Sequence, residues 1–230
     1  HLMKGDGACG FEDANAQWGF DGGSAWSTAF SATWVEGAPV LAVGNYVDRN
    51  NPDGPFGTCD TNTLHRWADG RFTRDVLEPG FCALSILFAR DASGTTRLRL
   101  SNDRHYYVRD GQEQLWAMEA TPRLYSEADG WQRHMLWGMG IASRDLDGDG
   151  LSEVYLTSMG DQRLQALSHG AAGPSYLDAP YESGATAHRP YTGGDGRPST
   201  GWHAVFGDVD NDGLVDLFIA KDELMLKIVK

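Results

Sequence analysis

Short runs of apolar, aromatic and β-branched residues recur along the chain, separated by polar turns rich in glycine. Two clear examples are residues 154–157, Val-Tyr-Leu-Thr, and residues 217–220, Leu-Phe-Ile-Ala, each of which follows an acidic turn. Runs of this length and composition are typical of buried strands. No helical period is sustained, and the 29 glycines with their recurring turn residues indicate an all-β fold.

The two acidic turns share one pattern of oxygen-bearing side chains. Each has carboxylates at loop positions 1, 3, 5 and 9 and a Gly at position 6, where a sharp turn is needed. Calcium takes six to eight oxygen ligands, so this spacing predicts two Ca²⁺ sites, each completed by the backbone carbonyl at position 7. The predicted ligands are Asp145, Asp147, Asp149, Leu151 and Glu153 in one loop, and Asp208, Asp210, Asp212, Leu214 and Asp216 in the other.

These loops differ from an EF-hand after the glycine. An EF-hand requires a bidentate Glu at position 12 and a following helix. Position 12 is Leu156 in one loop and Ile219 in the other, and both lie in predicted strands. The sequence therefore predicts strand-loop-strand calcium sites.

The pattern of a loop glycine followed by an apolar strand occurs four times. The glycines are Gly37, Gly94, Gly150 and Gly213, separated by 57, 56 and 63 residues. A period of this size with several short strands per unit predicts β-propeller blades. We expect a single domain over residues 4–230, with units at about 11–57, 58–120, 121–180 and 181–230, the last incomplete. Residues 1–3 are treated as a cloning remnant.

The first two copies have lost the carboxylate cage. The second carries Arg97 at position 9, and we expect its guanidinium to pair with Asp91 where calcium would otherwise bridge. The first carries Trp34, which we expect to fill the site with apolar bulk. Only the last two loops are predicted to hold metal.

Residues 206–213, Phe-Gly-Asp-Val-Asp-Asn-Asp-Gly, and residues 137–150, which begin Trp-Gly-Met-Gly, resemble the FG-GAP/VCBS repeat. The chain is similar to bacterial β-propeller proteins of the cartilage-acidic-protein-like (ASPIC/UnbV) type. The resemblance implies a secreted, calcium-stabilised propeller, usually of about six to eight blades, that acts in adhesion or ligand binding and seldom has an assigned reaction. It also implies a disulfide within one blade between Cys59 and Cys82, with two buried thiols as the alternative. Cys9 is left as an inert thiol or a partner for an interchain bond.

The final unit is short of strands, which indicates a piece of a larger propeller or a truncated reading frame. Open sheet edges invite pairing with another chain. We therefore predict a homo-oligomer, in which two four-blade arcs close one eight-blade ring, in preference to a compact four-blade propeller.

The formal net charge of −13 argues against nucleic acid as a partner. The longest apolar stretch, residues 81–89, is too short to span a bilayer. A disulfide and millimolar calcium both predict a secreted or periplasmic location.

The densest polar and aromatic cluster follows the second buried strand. Asn102, Asp103, Arg104 and His105 are predicted to bind a polar ligand, with Tyr106 and Tyr107 stacking on a ring or sugar. The alternative is that the charged residues pair with neighbouring blades and the tyrosines pack. The histidines show no metal-ligand spacing, so we expect them to be packed or hydrogen-bonded.

Two function classes follow from these features. The first is a calcium-stabilised propeller that presents loops to a protein, glycan or small-molecule ligand. The second is a calcium-dependent hydrolase of phosphate esters (triesters or diesters) or carboxylic esters, in which bound Ca²⁺ is the Lewis acid and Asp145 or Glu153 acts as a base. The sequence contains no convincing nucleophile, and it assigns no catalytic residue.

Overall fold

A computed structural model describes residues 1–52, 54, 57–91, 93–103, 108–167, 174–185 and 199–223. In this part of the chain the protein is all-β, with one short helix, α1 (Asn15–Trp18), and two single 3-10 turns at Glu127–Asp129 and Tyr181–Ser183. The predicted all-β class is confirmed. None of the described helices is long and apolar enough to cross a membrane.

The strands are short and follow one another closely along the chain. They are β1 (Met3–Gly5), β2 (Phe11–Asp13), β3 (Ser27–Val35), β4 (Ala38–Asn45), β5 (Asn62–Ala68), β6 (Arg71–Leu77), β7 (Ala83–Arg90), β8 (Thr96–Asn102), β9 (Gln114–Ala117), β10 (Arg123–Leu124), β11 (Gly138–Arg144), β12 (Glu153–Ser158), β13 (Arg163–Leu167), β14 (Tyr176–Asp178), β15 (Ser199–Gly207) and β16 (Asp216–Glu223).

These strands form four successive antiparallel sheets after an N-terminal β1–β2 hairpin. We call them the first sheet (β3–β6), the second sheet (β7–β10), the third sheet (β11–β14) and the fourth sheet (β15–β16). The first three are meanders, in which each strand pairs with its neighbour in sequence. Short connections favour this topology because they cannot carry the chain past an adjacent strand.

The four glycines of the predicted repeat occupy equivalent places. Gly37, Gly94, Gly150 and Gly213 each lie in the hairpin between the first and second strand of a sheet. Each first strand also carries a register shift near its start, between Ser27 and Ala29 in the first sheet and at the matching place in the other three. The repeat is therefore visible in backbone geometry as well as in sequence.

The borders of the sheets differ from the predicted units. The expected division between residues 57 and 58 falls inside the first sheet, since β5 and β6 pair with β4. The expected division between residues 120 and 121 falls between β9 and β10 of the second sheet. Each sheet therefore starts at the strand before the repeat glycine.

Neighbouring sheets pack face to face through their apolar residues. One core joins the first and second sheets around Leu64 and Leu98, and another joins the second and third around Leu115 and Val154. A smaller cluster around Tyr155 joins the third sheet to the fourth. Within the described residues the four sheets form an open row and are not closed into a ring.

First strands lie next to each other along this row, and hydroxyl groups fix their relative height. Ser31 Oγ accepts a hydrogen bond from the Phe88 backbone N–H at 3.3 Å, and Ser85 Oγ accepts one from Ile141 N–H, also at 3.3 Å. Because successive sheets stack in the same orientation, their repeat hairpins all lie along one edge of the row.

The disulfide between Cys59 and Cys82 is confirmed, with a Cα–Cα distance of 4.9 Å. Its position differs from the expectation of a bond within one blade. Cys59 lies in the β4–β5 connection of the first sheet, whereas Cys82 immediately precedes β7 of the second. The bond therefore ties two sheets together. Cys9 is an exposed free thiol.

We expect replacement of both Cys59 and Cys82 by Ala to lower the free energy of unfolding by about 3 kcal/mol, since the bond closes a loop of 23 residues in the unfolded chain. Urea unfolding monitored by tryptophan fluorescence measures this change. The matched control is Cys9→Ala, which removes only an exposed thiol and should leave the midpoint unchanged. Equal midpoints for the two variants would contradict a stabilising role for the bond.

Candidate metal site

The hairpin between β11 and β12 is held by hydrogen bonds to its own carboxylates. The side chain of Asp145 accepts bonds from the backbone N–H groups of Gly148 and Gly150 at 2.8 and 3.0 Å. Asp149 accepts one from Leu151 N–H at 2.7 Å. Gly148 and Gly150 have φ values of +78° and +87°, a backbone conformation that favours glycine.

The hairpin between β15 and β16 repeats this arrangement. Asp208 accepts a bond from Gly213 N–H at 3.0 Å, and Asp212 accepts one from Leu214 N–H at 2.8 Å. The left-handed positions also recur, with φ values of +61° at Asn211 and +87° at Gly213. Two loops on consecutive sheets therefore adopt one conformation from one sequence pattern.

The carboxylate at position 9 closes both loops. Glu153 Oε2 accepts a hydrogen bond from Leu146 N–H at 2.7 Å, and Asp216 Oδ2 accepts one from Val209 N–H at 2.8 Å. Burial raises the pKa of Glu153, and the charges of Asp147 and Asp149 raise it further, against the hydrogen bond that Leu146 donates. Negative charge is therefore crowded around this side chain.

Each loop brings three of its four predicted carboxylates together. Ligand oxygens of Asp145, Asp147 and Asp149 lie within 4.8 Å of one another, and those of a second set do so in the other loop. The second set is Asp208, Asp210 and Asp216. Glu153 and Asp212 are outside these groups, and the carbonyls of Leu151 and Leu214 remain predicted ligands. An oxygen-only donor set fits a hard divalent cation such as calcium.

The second sheet carries the predicted substitute for an ion. Arg97 Nη2 lies 2.8 Å from Asp91 Oδ2, which confirms the expected pair, and both side chains are largely buried. Asp91 also accepts bonds from the N–H groups of Ser93 and Thr95. Burial alone would raise the pKa of Asp91, but these hydrogen bonds and the charge of Arg97 lower it overall. The carboxylate is therefore held ionised beside a guanidinium.

The expectation that Trp34 fills the corresponding place in the first sheet is wrong. The β3–β4 hairpin turns tightly through Glu36 and Gly37, with φ values of +51° and +80°. Trp34 lies in β3 itself, and its side chain is 68% exposed. A two-residue turn needs neither an ion nor apolar filling, because Gly37 supplies the required backbone freedom.

Two of the predicted ligand-binding residues are committed to contacts within the fold. Asn102 is fully buried, and its amide donates to the Gln112 carbonyl at 2.8 Å. Asp103 accepts a hydrogen bond from the Tyr46 hydroxyl of the first-sheet connection, which fits the alternative that this residue pairs with a neighbouring unit. Arg104, His105 and the two tyrosines at 106–107 lie outside the described residues, so ligand binding here stays a prediction.

An unpredicted polar clamp recurs at the start of each third strand. Asn62, Glu113 and Gln162 accept hydrogen bonds from the backbone N–H at the end of the preceding strand, donated by Asn45, Asn102 and Ser158 at 2.8, 2.9 and 3.3 Å. The sequence signal was an amide or carboxyl side chain at the first position of the third strand or immediately before it. It is weak, because such residues are common in turns.

Glu113 is the acidic member of this set, and it is completely buried. Burial raises the pKa of Glu113 to about 8, against the opposing effects of the Asn102 N–H, Arg99 and Ser101. A Cβ added to Gly138 would lie 2.5 Å from Glu113 Oε1, so only glycine fits beside this carboxyl. The third sheet therefore packs directly over a carboxyl that is protonated at neutral pH.

His65 is buried and His134 is half-buried, and both pack against aromatic rings, as the sequence indicated. His65 lies 4.6 Å from the Phe20 ring, and His134 lies 5.2 Å from Trp131. Burial and nearby arginines lower the pKa of both imidazoles to about 4. Both residues are packed and neutral at physiological pH.

A polar cleft opens at the other end of the first sheet from its hairpin. It is lined by Asp21, Ser24, Asn45, Asn50, Asp60 and Arg74, among others. Arg74 and Asp21 lie on one side, 3.7 Å apart. This cleft presents carboxylate, amide, hydroxyl and guanidinium groups to one space.

No protein-family model matches the chain, and no curated protein matches it significantly.

Proposed function

We propose that this protein is a calcium-stabilised extracellular binding module of the β-propeller type. Its ligand is recognised by loops on the edge of the row of sheets opposite the calcium hairpins. The observation that carries the proposal is that two acidic hairpins on consecutive sheets, at 145–153 and 208–216, share the same turn and the same hydrogen bond from the Gly at position 6 to the Asp at position 1. Their carboxylates converge within 4.8 Å, a separation that one hard cation bridges.

Calcium suits these hairpins better than magnesium. Magnesium demands near-ideal octahedral geometry and gives up water reluctantly, whereas calcium tolerates irregular cages of six to eight oxygens. A hairpin with carboxylates at alternate positions and a carbonyl at position 7 supplies such an irregular cage. The ion then neutralises side chains that repel one another when it is absent.

The position of the hairpins supports a structural role for the ion. The sheets stack in one orientation, so the acidic hairpins lie along one edge of the row, while the cleft beside Asn45 and Asp60 lies on the opposite edge. An ion in a hairpin is therefore remote from a ligand in the cleft. The second sheet supports the same role, because Asp91 and Arg97 stabilise the equivalent loop without an oxygen cage.

An exported location agrees with both features. The Cys59–Cys82 bond persists in oxidising compartments, and sites built from oxygen ligands fill where calcium is millimolar. The ligand class that we propose is a protein or a glycan.

Titration calorimetry tests the metal proposal. We expect two calcium-binding events in the native protein and weaker or no heat with magnesium. Asp147→Asn and Asp210→Asn should each remove one event, since the amide keeps the single backbone hydrogen bond of the carboxylate but not its charge. Absence of calcium uptake by the native protein, or full uptake by the double variant, would refute the proposal.

A glycan array probed with the calcium-loaded protein tests whether the polar cleft binds a glycan. We expect binding that Asp60→Ala weakens at least tenfold and that Asp147→Asn leaves unchanged at saturating calcium. If the array shows no binding, a protein partner becomes the remaining candidate. If Asp60→Ala has no effect on a bound glycan, the cleft is not the site.

A further inference from the structure

Each sheet in the row has two faces, defined here by the sheet that lies against them. The rear face looks toward the preceding sheet, and the forward face looks toward the following sheet. The second and third sheets are covered on both faces by neighbours from the same chain. The first sheet has no described sheet behind its rear face, and the fourth has none in front of its forward face.

The register of the strands identifies equivalent rear positions. In each sheet one cross-strand pair of the first two strands faces rearward, and in the second, third and fourth sheets that pair is buried against, or packed on, the core shared with the preceding sheet. The pairs are Phe30–Val43, Ile86–Leu100, Ile141–Leu156 and Ala204–Ile219. In the first sheet the same position holds Phe30, which is 59% exposed.

The next pair in each register faces forward. In the third sheet it is Ala142–Tyr155, which packs against the fourth sheet. In the fourth sheet it is Val205–Phe218, and these side chains are 51% and 59% exposed. The equivalent forward positions are therefore apolar in both sheets, but they are covered in the third sheet and exposed in the fourth.

The N-terminal segment covers part of the first sheet and leaves the rest open. Phe20 packs on His65 and Phe72, and Trp18 packs on Trp67, so the half of the rear face formed by β5 and β6 is covered. The half formed by β3 carries Phe30 and Trp34 at 59% and 68% exposure. In the second, third and fourth sheets, the half formed by the first strand is the part that packs on the preceding sheet, since first strands contact each other along the row.

We propose that a second copy of this chain occupies both open faces. The forward face of the fourth sheet, with Val205 and Phe218, packs on the rear face of the first sheet of the partner, with Phe30 and Trp34. The two ends of the row are complementary because each repeats one side of an interface that the chain already makes internally. One partner buries both faces at once, and removing these large apolar side chains from water favours the association.

The contact is head to tail, a symmetry that gives a closed ring when the rotation between chains closes and an open filament when it does not. The proposal is the closed ring of two chains. The proposal does not depend on calcium or on a ligand, because neither of the acidic hairpins belongs to the proposed interface. Failure of the dimer would therefore leave the calcium proposal untouched.

Sedimentation velocity in calcium-containing buffer provides the first test. We expect a species of twice the 25.1 kDa chain mass. Phe30→Lys and Phe218→Glu should each halve that mass while circular dichroism stays unchanged. The control, Met135→Lys, alters an exposed apolar residue outside both faces and should leave the dimer intact.

Mixing the two defective variants provides the decisive test. In a two-chain ring, one interface of the mixed dimer is native, and the other brings the positive charge of the Phe30→Lys chain against the negative charge of the Phe218→Glu chain. We therefore expect the mixture to recover the dimer mass that neither variant shows alone. A dimer related by an isologous contact through one face would not recover in this way.

A disulfide trap covers the case in which a charged variant fails to fold. Phe30→Cys and Phe218→Cys are combined in a Cys9→Ala chain, and mild oxidation should give a covalent dimer in high yield. A native protein that stays at 25.1 kDa at all concentrations, a dimer unaffected by both charged variants, or open polymers instead of a closed dimer would each overturn the proposal.

Discussion

Removing calcium with a chelator is expected to lower the melting temperature by roughly 10–20 °C. A ligand at one hundred times its dissociation constant stabilises the folded state by about 2.7 kcal/mol per site. For a chain of this size, each kcal/mol shifts the melting temperature by about 2–4 °C. Two hairpins on adjacent sheets, 145–153 and 208–216, therefore produce a large combined shift. Differential scanning fluorimetry with EGTA and with excess calcium measures it.

The chain supplies its own matched control for this experiment. Asp91 occupies the equivalent hairpin of the second sheet but pairs with Arg97. Asp91→Asn should lower the melting temperature by the same amount with calcium and with EGTA. Asp147→Asn combined with Asp210→Asn should instead abolish the difference between the two conditions. A native protein that melts at one temperature in both buffers would contradict a stabilising ion.

The Glu113→Gln variant is expected to be more stable than the native protein at high pH, by an amount on the order of a few kcal/mol. The folded-state pKa of Glu113 is about 8, whereas its ordinary value is 4.5. The folded state therefore holds a proton that the unfolded chain releases between these values. Each unit of pKa difference corresponds to about 1.4 kcal/mol, and the native protein loses this stability as pH rises from 4.5 to 8.

Glutamine removes this loss because it is neutral at every pH. Its amide oxygen still accepts the Asn102 N–H bond, as the amide oxygens of Asn62 and Gln162 do in the equivalent clamps. Urea unfolding at pH 4.5, 6, 7 and 8.5 should show native and variant proteins converging at the lowest pH and diverging upward. The control is Glu127→Gln, which changes an exposed side chain and should follow the native curve. Parallel curves for Glu113→Gln and the native protein would show that Glu113 does not carry a raised pKa.

The local features of the fold could be read from sequence because short-range chemistry sets them. Alternating carboxylates with glycine at position 6 dictate a hairpin that bonds to its own backbone, and the structure forms this hairpin twice. The exchange of a carboxylate for Arg97 beside Asp91 is equally local, and the pair forms as expected. Interactions between residues a few positions apart do not depend on the rest of the fold.

Features that depend on contacts between distant segments were not recovered. The sequence placed β5 and β6 in the wrong unit, because strand pairing with β4 depends on the arrangement of the whole sheet. It also placed the Cys59–Cys82 bond inside one blade, since the resemblance gave the partners but not the sheets to which they belong. Trp34 was assigned to a loop because the aligned frame ignored the two-residue turn at Glu36 and Gly37.

The sequence alone determined that this protein is built from β-strands, that a hairpin frame repeats four times, and that two of those hairpins concentrate oxygen ligands. Only the tertiary structure decided which faces are covered, because burial results from the stacking of sheets rather than from neighbouring residues. It buried Glu113 completely, which raises its pKa, and it left Phe30 and Phe218 exposed at the two ends of the row. Both results follow from the same physical fact, that the free energy of a side chain depends on what lies against it.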